Sequence, residues 1–439
     1  MNIPKTKMPR VVIVGGGFAG ISIAKKLKGL PIQLVMFDRH NYHTFQPLLY
    51  QVSTSGLEAD SIAYPLRKIM KKHKNFHFRM AEVKNINPTT QVIDTNIGSL
   101  EYDYLVIATG TKTNYFGNKQ IEYNALPMKT VPQALDIRSF MLQNFEKASV
   151  TENDEERQAY MTFVVVGGGP TGVELAGALA ELKRKVFPKD YPDIDLSKME
   201  IHLLEGAPRL LPPMSETASK KAEKFLRELG VTIHLKTLVT QYDGTNVETK
   251  EGVILKASTF IWSAGVTGNP VLGVNENAIH DKVKRYIVNE YNQVDGYNNI
   301  FAIGDIALMM SDEYPKGHPQ LAQPAIQQGE LLAKNLMNLI NNKPMKPFKY
   351  IDKGSMATIG RNKAVADIKK LHFGGFFAWF IWMFVHLFSL VGFRNRVITF
   401  FNWMYNYINY DKAARSIFRY YKRENKSEVV VKKEEEVTA

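Results

Sequence analysis

Residues 162–176 read TFVVVGGGPTGVELA, and this stretch decides the fold. Its first five residues, mostly β-branched and aromatic, predict a short buried strand, and the residues from Val173 onward predict a helix. Gly167, Gly169 and Gly172 lie between them in the spacing G-x-G-x-x-G. This spacing is typical of a loop that binds a dinucleotide, because glycine permits a tight turn and a close approach of the backbone to a pyrophosphate at a helix N-terminus.

The same pattern occurs a second time, nearer the N-terminus. Residues 11–24 read VVIVGGGFAGISIA and place Gly15, Gly17 and Gly20 at the same spacing after a similar strand. We call residues 15–20 the first glycine loop and residues 167–172 the second glycine loop. One such motif can be an ordinary glycine-rich turn, but two in matched strand–turn–helix contexts predict two dinucleotide sites. The fold expected is α/β, with two Rossmann-like domains.

A carboxylate ends the strand that follows each glycine loop. Asp38 comes 18 residues after Gly20, and Glu205 comes 33 residues after Gly172. Such a residue suits hydrogen bonds from an adenosine ribose, and at Glu205 it would repel a 2′-phosphate, which favours NADH over NADPH. Arg209 weakens that preference, and an ordinary turn aspartate remains the alternative for Asp38.

The composition excludes several classes of protein. The 439 residues contain no cysteine, which removes disulfides, thiolate metal sites, iron–sulfur clusters and redox-active dithiols. The formal net charge of +13 implies an acidic partner, either nucleic acid or anionic lipid. Since no nucleic-acid-reading motif is present, we predict anionic lipid and no nucleic acid.

Between the motifs, three stretches have less regular patterns. Residues 39–58 predict a functional loop, in which His40 and His43 are interpreted as packing or hydrogen-bonding residues because metal-ligand spacing is absent. Residues 61–73 predict an amphipathic helix, and residues 133–160 predict a second helix. Residues 299–307, NIFAIGDIA, predict a buried strand that ends on a Gly-Asp pair.

The C-terminal part is rich in aromatic residues. Residues 373–393 (FGGFFAWFIWMFVHLFSLVGF) carry no formal charge, and residues 394–421 are amphipathic and basic. The cations of the second stretch are Arg394, Arg396, Lys412, Arg415 and Arg419. An aromatic segment followed by a basic amphipathic helix predicts an anchor in the plane of a membrane. Domain core, an oligomer interface and a single membrane span remain alternatives.

Together these motifs resemble the type II NADH:quinone oxidoreductases, and the resemblance extends to about Tyr421. The matching pieces are VVIVGGGFAG, FQPLLYQVST, YDYLVIATG, VVVGGGPTGVELAG, NIFAIGD, LAQPAIQQG and the W-x-x-W region with GFRNR. LAQPAIQQG is the most specific, because it is similar to the quinone-site segment of that family. Many relatives carry glutamate where this chain has Asp38, and either carboxylate can bind a ribose.

The resemblance implies a set of site residues for each ligand, and none for a metal. Those expected to hold FAD, without a covalent bond, are Gly15, Gly17, Phe18, Ala19, Gly20, Asp38, Arg39, Thr109, Gly110, Gly304, Asp305 and Gln323. Those expected to hold NADH are Gly167, Gly169, Pro170, Thr171, Gly172, Glu174, Glu205, Ala264 and Gly265. Gln323 and Gln327 would face the quinone, and Glu174 would tune or relay protons. On its own, Glu174 is equally an acidic residue favoured by the helix dipole.

The predicted activity is oxidation of NADH by hydride transfer to the flavin and two-electron reduction of a membrane quinone in a respiratory chain, without proton pumping. The predicted state is a homodimer peripheral (monotopic) to the cytoplasmic face of the cell membrane, bound to lipid through residues 373–423. The alternatives are a soluble NADH oxidase, a ferredoxin-reductase-like flavoprotein and a flavin-bearing interaction protein.

The predicted organisation divides the chain into five segments. They are an FAD-binding domain in residues 1–115 that returns in 291–342, an NADH-binding domain in 116–290, a membrane-anchoring and dimerisation region in 343–423, and a disordered tail in 424–439.

Overall fold

A computed structural model describes residues 1–71, 75–409 and 414–422. The predicted tail and Lys412 lie outside these residues. The chain forms two compact units, each assembled from separate segments. The first unit comprises Met1–Thr44, Ala63–Lys112 and Val266–Lys353, and the second comprises Phe45–Ile62, Thr113–Gly265 and the chain from Gly354 onward. The first unit thus resumes at Val266, whereas the sequence places its return at residue 291.

A parallel five-stranded sheet forms the centre of the first unit. Its strands, in spatial order, are Ile300–Ala302, Tyr104–Ile107, Arg10–Val14, Gln33–Asp38 and Phe76–Met80. The first glycine loop follows the central strand and leads into the helix Phe18–Lys26, which packs on the helix Ala322–Ile340. This packing is close, since a Cβ on Gly329 would lie 2.7 Å from the carbonyl oxygen of Ala19.

Smaller sheets complete the first unit. They comprise the antiparallel meander Val83–Asn87, Val92–Thr95 and Gly98–Glu101, the pair Tyr42–Thr44 and Ala63–Pro65, and the set Ile279–His280, Arg285–Ile287 and Ala307–Leu308. The helix predicted over residues 61–73 is wrong. Only Leu66–Ile69 in this unit and Ala59–Ile62 in the second are helical, because Ala63–Pro65 pairs as a strand with Tyr42–Thr44. Pro65, which lacks an N–H, cannot continue a helix.

The second unit repeats the same sheet. Its parallel strands, in spatial order, are Leu126–Pro127, Thr259–Trp262, Thr162–Val166, Glu200–Glu205 and Thr232–Leu235. An antiparallel meander again accompanies it, formed by Val239–Tyr242, Asn246–Thr249 and Ile254–Lys256. Each central strand is fully or almost fully buried, which explains why both read as continuous apolar runs.

Helices cover the sheet of the second unit. They are Leu49–Ser53, Lys119–Asn124, Val131–Val150, Asp154–Met161, Pro170–Lys185, Phe187–Asp190 and Glu216–Glu228. The single helix predicted over residues 133–160 is two helices. The second begins at a new N-cap, because the side chain of Asn153 accepts hydrogen bonds from the backbone N–H groups of Glu155 and Glu156.

The C-terminal part of the second unit combines a small sheet with two helices. The antiparallel strands Ser355–Gly360, Lys363–Ile368 and Leu371–Gly374 precede the helices Phe376–Ser389 and Phe393–Asn409. The apolar stretch 373–393 is therefore not one helix, since its first residues belong to a strand and Gly392 has a φ of +91°. Among the described residues, no helix has the length and apolar character needed to cross a bilayer.

Candidate functional site

The first glycine loop has a backbone that only glycine can adopt at two of its positions. Gly15 has a φ of +109°, and a Cβ there would lie 2.3 Å from the carbonyl oxygen of Ala108. A Cβ on Gly20 would lie 1.9 Å from the carbonyl oxygen of Gly15. Gly17 is different, because a Cβ on it would meet no described atom within 4 Å. The loop is thus tightly packed on the protein side and open at Gly17.

The second glycine loop has the same geometry. Gly167 also has a φ of +109°, and a Cβ there would lie 2.9 Å from Ala264. A Cβ on Gly172 would lie 1.9 Å from the carbonyl oxygen of Gly167, whereas one on Gly169 would meet nothing within 4 Å among the described residues. The helix starts at Pro170, whose missing N–H costs nothing in the first turn.

Each predicted ribose carboxylate also binds the backbone of its own glycine loop. Asp38 Oδ2 accepts a hydrogen bond from the N–H of Gly16 (2.6 Å), and its Oδ1 accepts one from His40 (2.7 Å). Glu205 Oε2 accepts from the N–H of Gly168, and its Oε1 accepts from Ala207 (2.6 Å). Sequence reasoning assigned these carboxylates a ligand and missed this role in the loops.

The residues expected to hold FAD all lie in the first unit. Gly304 has a φ of +73°, and a Cβ there would lie 3.1 Å from the Cβ of Ala19, which places the Gly-Asp turn against the first glycine-loop helix. Thr111 Oγ1 donates to Asp305 Oδ2 at 3.4 Å. Thr109 Oγ1 is buried, with no hydrogen-bond partner among residues 1–71, 75–409 and 414–422. The open space at Gly17 and this unused hydroxyl group both fit a bound dinucleotide.

Other predicted FAD residues make contacts within the protein. The Phe18 ring meets the edge of the His43 ring at 5.0 Å between centroids. Arg39, which is more than half exposed, lies 3.9 Å from Glu82.

The residues expected to hold NADH all lie in the second unit. Gly265 has a φ of +76°, and a Cβ there would lie 2.6 Å from the ring of Phe116, an exposed aromatic residue that sequence reasoning did not single out. Thr171 is exposed in the first turn of the helix Pro170–Lys185, and Glu174 is buried one turn further along.

A cavity of about 130 Å³ lies in the second unit beside Glu174. Its walls are largely aromatic and include Tyr50, Trp379, Trp382, Trp403 and Tyr407. A cavity of this order accommodates several water molecules or a single six-membered ring. It is formed by the helix Pro170–Lys185, the C-terminal strands and the two C-terminal helices.

Burial raises the pKa of Glu174 to about 8. The backbone N–H of Thr358 donates to Glu174 Oε1 at 3.4 Å and lowers the pKa in part. The indole N–H of Trp382 also lowers it, although its geometry falls short of a hydrogen bond. The side chain is therefore mainly protonated at pH 7, which makes it a buried proton donor at the cavity.

Next to the cavity, an imidazole stacks on an indole. The His386 ring lies 4.2 Å from that of Trp382, and its Nδ1 is 2.8 Å from the Trp382 carbonyl oxygen. Burial lowers the pKa of His386 to about 4, so this ring is neutral at pH 7. Trp403 donates its indole N–H to Gln51 at 2.8 Å, which ties the last helix to the segment Phe45–Ile62.

The two glutamines expected at the quinone lie at the start of the helix Ala322–Ile340, in the first unit. Gln323 is half-buried there. Gln327 donates to the carbonyl oxygen of Ile351 (2.9 Å) and accepts from its N–H (3.0 Å). Sequence reasoning missed Gln328, which is buried and accepts from the N–H of Gly304 at 2.7 Å. Its position one turn after Pro324, on the inner face of the helix, was the available signal.

Both C-terminal helices expose aromatic residues. In Phe376–Ser389 the exposed face carries Phe377, Phe380, Phe384 and Phe388, while Ala378 and Trp382 are buried. In Phe393–Asn409 the exposed residues include Phe400, Phe401, Met404, Tyr405 and Ile408.

Not all the predicted cations remain available to a lipid. Arg394 is exposed, but Arg415 pairs with Asp190 at 2.7 Å and Arg419 pairs with Asp136.

Comparison with known proteins defines first the class and then the family. The family model for pyridine nucleotide-disulphide oxidoreductases matches residues 9–329, and the NDH2 C-terminal domain matches residues 353–409. A solved structure of NDH2 from Plasmodium falciparum in complex with NADH superposes with a TM-score of 0.86, at 22% identity, over 94% of this chain and 100% of that chain. The predicted fold class is confirmed: the chain is an α/β flavoprotein with two Rossmann-like units.

Curated relatives identify the family. Type II NADH:quinone oxidoreductase NdhA from Mycobacterium tuberculosis is 36% identical over 424 residues, which cover 93% of this chain and 89% of the relative. The type II NADH:quinone oxidoreductase from Haemophilus influenzae is 30% identical over 82% of this chain and 87% of its own. The chain belongs to the type II NADH:quinone oxidoreductases, which confirms the resemblance and the enzyme class predicted from the sequence.

Proposed function

We propose that the first unit binds FAD without a covalent bond, and that the second unit binds NADH. The observation that supports this proposal is the pairing of two open glycine positions, Gly17 and Gly169, with carboxylates that hold each loop. When bound, a flavin supplies the two-electron chemistry that links a hydride donor to a quinone. The overall reaction is oxidation of NADH and reduction of a quinone to quinol in a respiratory chain.

The chain's own residues orient the reactants and supply protons. The N–H groups at the two helix N-termini and the residues of the Gly304–Asp305 turn would hold the phosphates and ribityl hydroxyls of the dinucleotides. Gln323 and Gln327 would face the quinone. Glu174, protonated at neutral pH and adjacent to the cavity, would tune or relay the protons that the quinol takes up. We propose no proton pumping.

The exposed aromatic faces of the two C-terminal helices support a peripheral, monotopic association with an anionic bilayer at the cytoplasmic face. Large exposed apolar patches mark interaction sites, and aromatic side chains favour the headgroup level of a bilayer. We also propose that the enzyme is a homodimer. Flotation with vesicles that contain anionic lipid tests the membrane proposal: Phe377→Asp with Phe384→Asp should abolish co-flotation, whereas Phe116→Asp, an exposed aromatic outside these helices, should leave it unchanged.

The visible absorption spectrum of the purified enzyme tests the redox proposal. The protein should be yellow, lose its flavin absorbance when NADH is added without oxygen, and recover it when a short-chain quinone follows. A soluble oxidase would recover colour with oxygen and not with quinone. A flavin-bearing interaction protein would give negligible turnover with either acceptor.

Stopped-flow measurements test the quinone assignment. Gln323→Ala should slow reoxidation by quinone and leave reduction by NADH nearly intact. Gln327→Ala should do the same, but it also removes two hydrogen bonds to Ile351, so its thermal unfolding is measured alongside. An equal loss of both half-reactions in a stably folded variant would contradict the assignment.

A further inference from the structure

His43 is a buried imidazole that contacts the middle of the first glycine loop. It lies in the strand Tyr42–Thr44, which pairs with Ala63–Pro65, and only 2% of its surface is exposed. Its Nδ1 lies 3.1 Å from the carbonyl oxygen of Gly16. The Phe18 ring, at the start of the following helix, meets the His43 ring edge to face. One side chain thus contacts both the loop and the helix after it.

The hydrogen bond fixes the protonation of the ring. A carbonyl oxygen only accepts, so Nδ1 must carry the proton and donate it. Burial lowers the pKa of His43 to about 4, so the ring is neutral at pH 7 and Nε2 has no proton. Nε2 is buried, with no hydrogen-bond partner in the part of the chain that the structure describes. Because protein atoms cover it, the imidazole acts on a ligand only through the loop.

The second glycine loop shows what this contact replaces. There the carbonyl oxygen of Gly168 accepts a hydrogen bond from the backbone N–H of Leu211 at 2.8 Å. The N–H of the middle glycine is bound by a carboxylate in both loops, by Asp38 at Gly16 and by Glu205 at Gly168. The two loops therefore have equivalent N–H partners, but the carbonyl is bound by a side chain in one and by backbone in the other.

We propose that His43 is a positioning residue that holds the first glycine loop in the conformation that binds FAD, through its Nδ1–H bond to the Gly16 carbonyl. The peptide plane after Gly16 sets the direction of the N–H of Gly17, which is the open position of the loop. If the carbonyl lost its donor, this plane would be free to rotate and the loop would no longer be preorganised for a pyrophosphate. The proposal rests on the assignment of FAD to the first unit.

Release of FAD from the holoenzyme, followed by the rise in flavin fluorescence, tests the proposal. His43→Phe keeps a planar ring but removes the donor, and it should weaken FAD binding by about 10-fold, the effect of one buried hydrogen bond. His43→Gln supplies an amide donor and should restore most of the affinity. His40→Phe, an exposed histidine in the same segment, is the matched control and should bind FAD as the wild type does.

Two further measurements separate the possible outcomes. Gly17→Ala places a methyl group where the pyrophosphate is expected. If this variant keeps its FAD, the cofactor assignment is wrong; if it loses FAD while His43→Phe retains it, only the role of His43 is wrong. NADH affinity should be unchanged in His43→Phe, whereas a general folding defect would reduce both affinities.

If His43→Phe does not fold, ¹⁵N-histidine NMR of the wild-type enzyme decides the question. The proposal requires one histidine with Nδ1 protonated and Nε2 bare, and this signal should be absent from His43→Gln. A His43 with a proton on Nε2 would overturn the proposal.

Discussion

The two glycine loops share one backbone geometry and differ in what surrounds it. In both, a leucine covers the middle glycine: Leu66 lies 2.7 Å from a Cβ built on Gly16, and Leu210 lies 2.7 Å from one built on Gly168. The donors to the glycine carbonyl differ, and so do the helices that follow. The repeated motif determines a binding loop, while the surrounding chain determines what else that loop can do.

The clearest difference lies two residues beyond the last glycine of each loop. The first helix has Ser22 there, and the second has the buried carboxyl group of Glu174. The second helix packs closely on the C-terminal strands, since a Cβ on Gly177 would lie 1.8 Å from the carbonyl oxygen of Ile359. That contact encloses Glu174 and raises its pKa. The difference suggests that the second unit carries an acid–base group as well as a nucleotide.

The largest expected effect comes from removing the glycine that both loops need for packing. Gly20→Ala and Gly172→Ala each place a methyl group 1.9 Å from a backbone oxygen. Each should destabilise its unit by about 3 kcal/mol or more, because backbone atoms cannot move aside as a side chain does. Thermal unfolding measures the loss, with Lys28→Ala as an exposed control. A normal midpoint for either variant would show that the two loops are not packed alike.

Glu174→Gln should separate stability from activity. A raised pKa means that the folded state binds the proton more tightly, so this group lowers stability as pH rises from 4.5 towards 8. At pH 7 the cost is about 3 kcal/mol, since each pKa unit corresponds to about 1.4 kcal/mol. The variant should therefore unfold at a higher temperature at pH 7, with an advantage that vanishes near pH 4.5, while its turnover falls.

Ser22→Ala provides the matched change in the first helix and should shift the unfolding midpoint little at any pH. If Glu174→Gln has wild-type stability at pH 7, the carboxyl group is hydrated and its pKa is normal. If its turnover is unchanged, Glu174 has no role in proton transfer.

Much of this comparison follows from the sequence. The repeat of Gly15, Gly17 and Gly20 predicts both loops, because steric limits near backbone atoms leave glycine as the only residue that fits. The three C-terminal strands and the enclosure of Glu174 were not predicted, because burial of a polar residue depends on a hairpin almost 190 residues away in the chain. His43 was correctly interpreted as a packing or hydrogen-bonding residue, but its partner could not be predicted, since residues 39–58 have no periodicity that places them.

A methyl group at the open position should distinguish the ligands of the two loops. Gly17→Ala should lower FAD affinity by at least about 10-fold and leave NADH affinity intact, and Gly169→Ala should do the reverse. Both residues have a φ of −72°, which alanine adopts without strain, so both variants should fold. FAD content after purification and NADH titration measure the two affinities. If Gly17→Ala weakened NADH binding instead, the assignment of the two units would have to be exchanged.

The smallest effect concerns the two carboxylates, and it tests whether they differ in the nucleotide they face. Glu205→Gln removes a negative charge that would repel a 2′-phosphate, so the ratio of kcat/KM for NADPH to that for NADH should rise about fivefold. Asp38→Asn removes the equivalent charge at the first loop and should leave the ratio unchanged. Both substitutions also replace an oxygen that accepts from backbone N–H groups, so both should lower the unfolding midpoint. Only the cofactor ratio should separate them; an equal shift in both variants would place neither carboxylate beside the adenosine ribose of NADH.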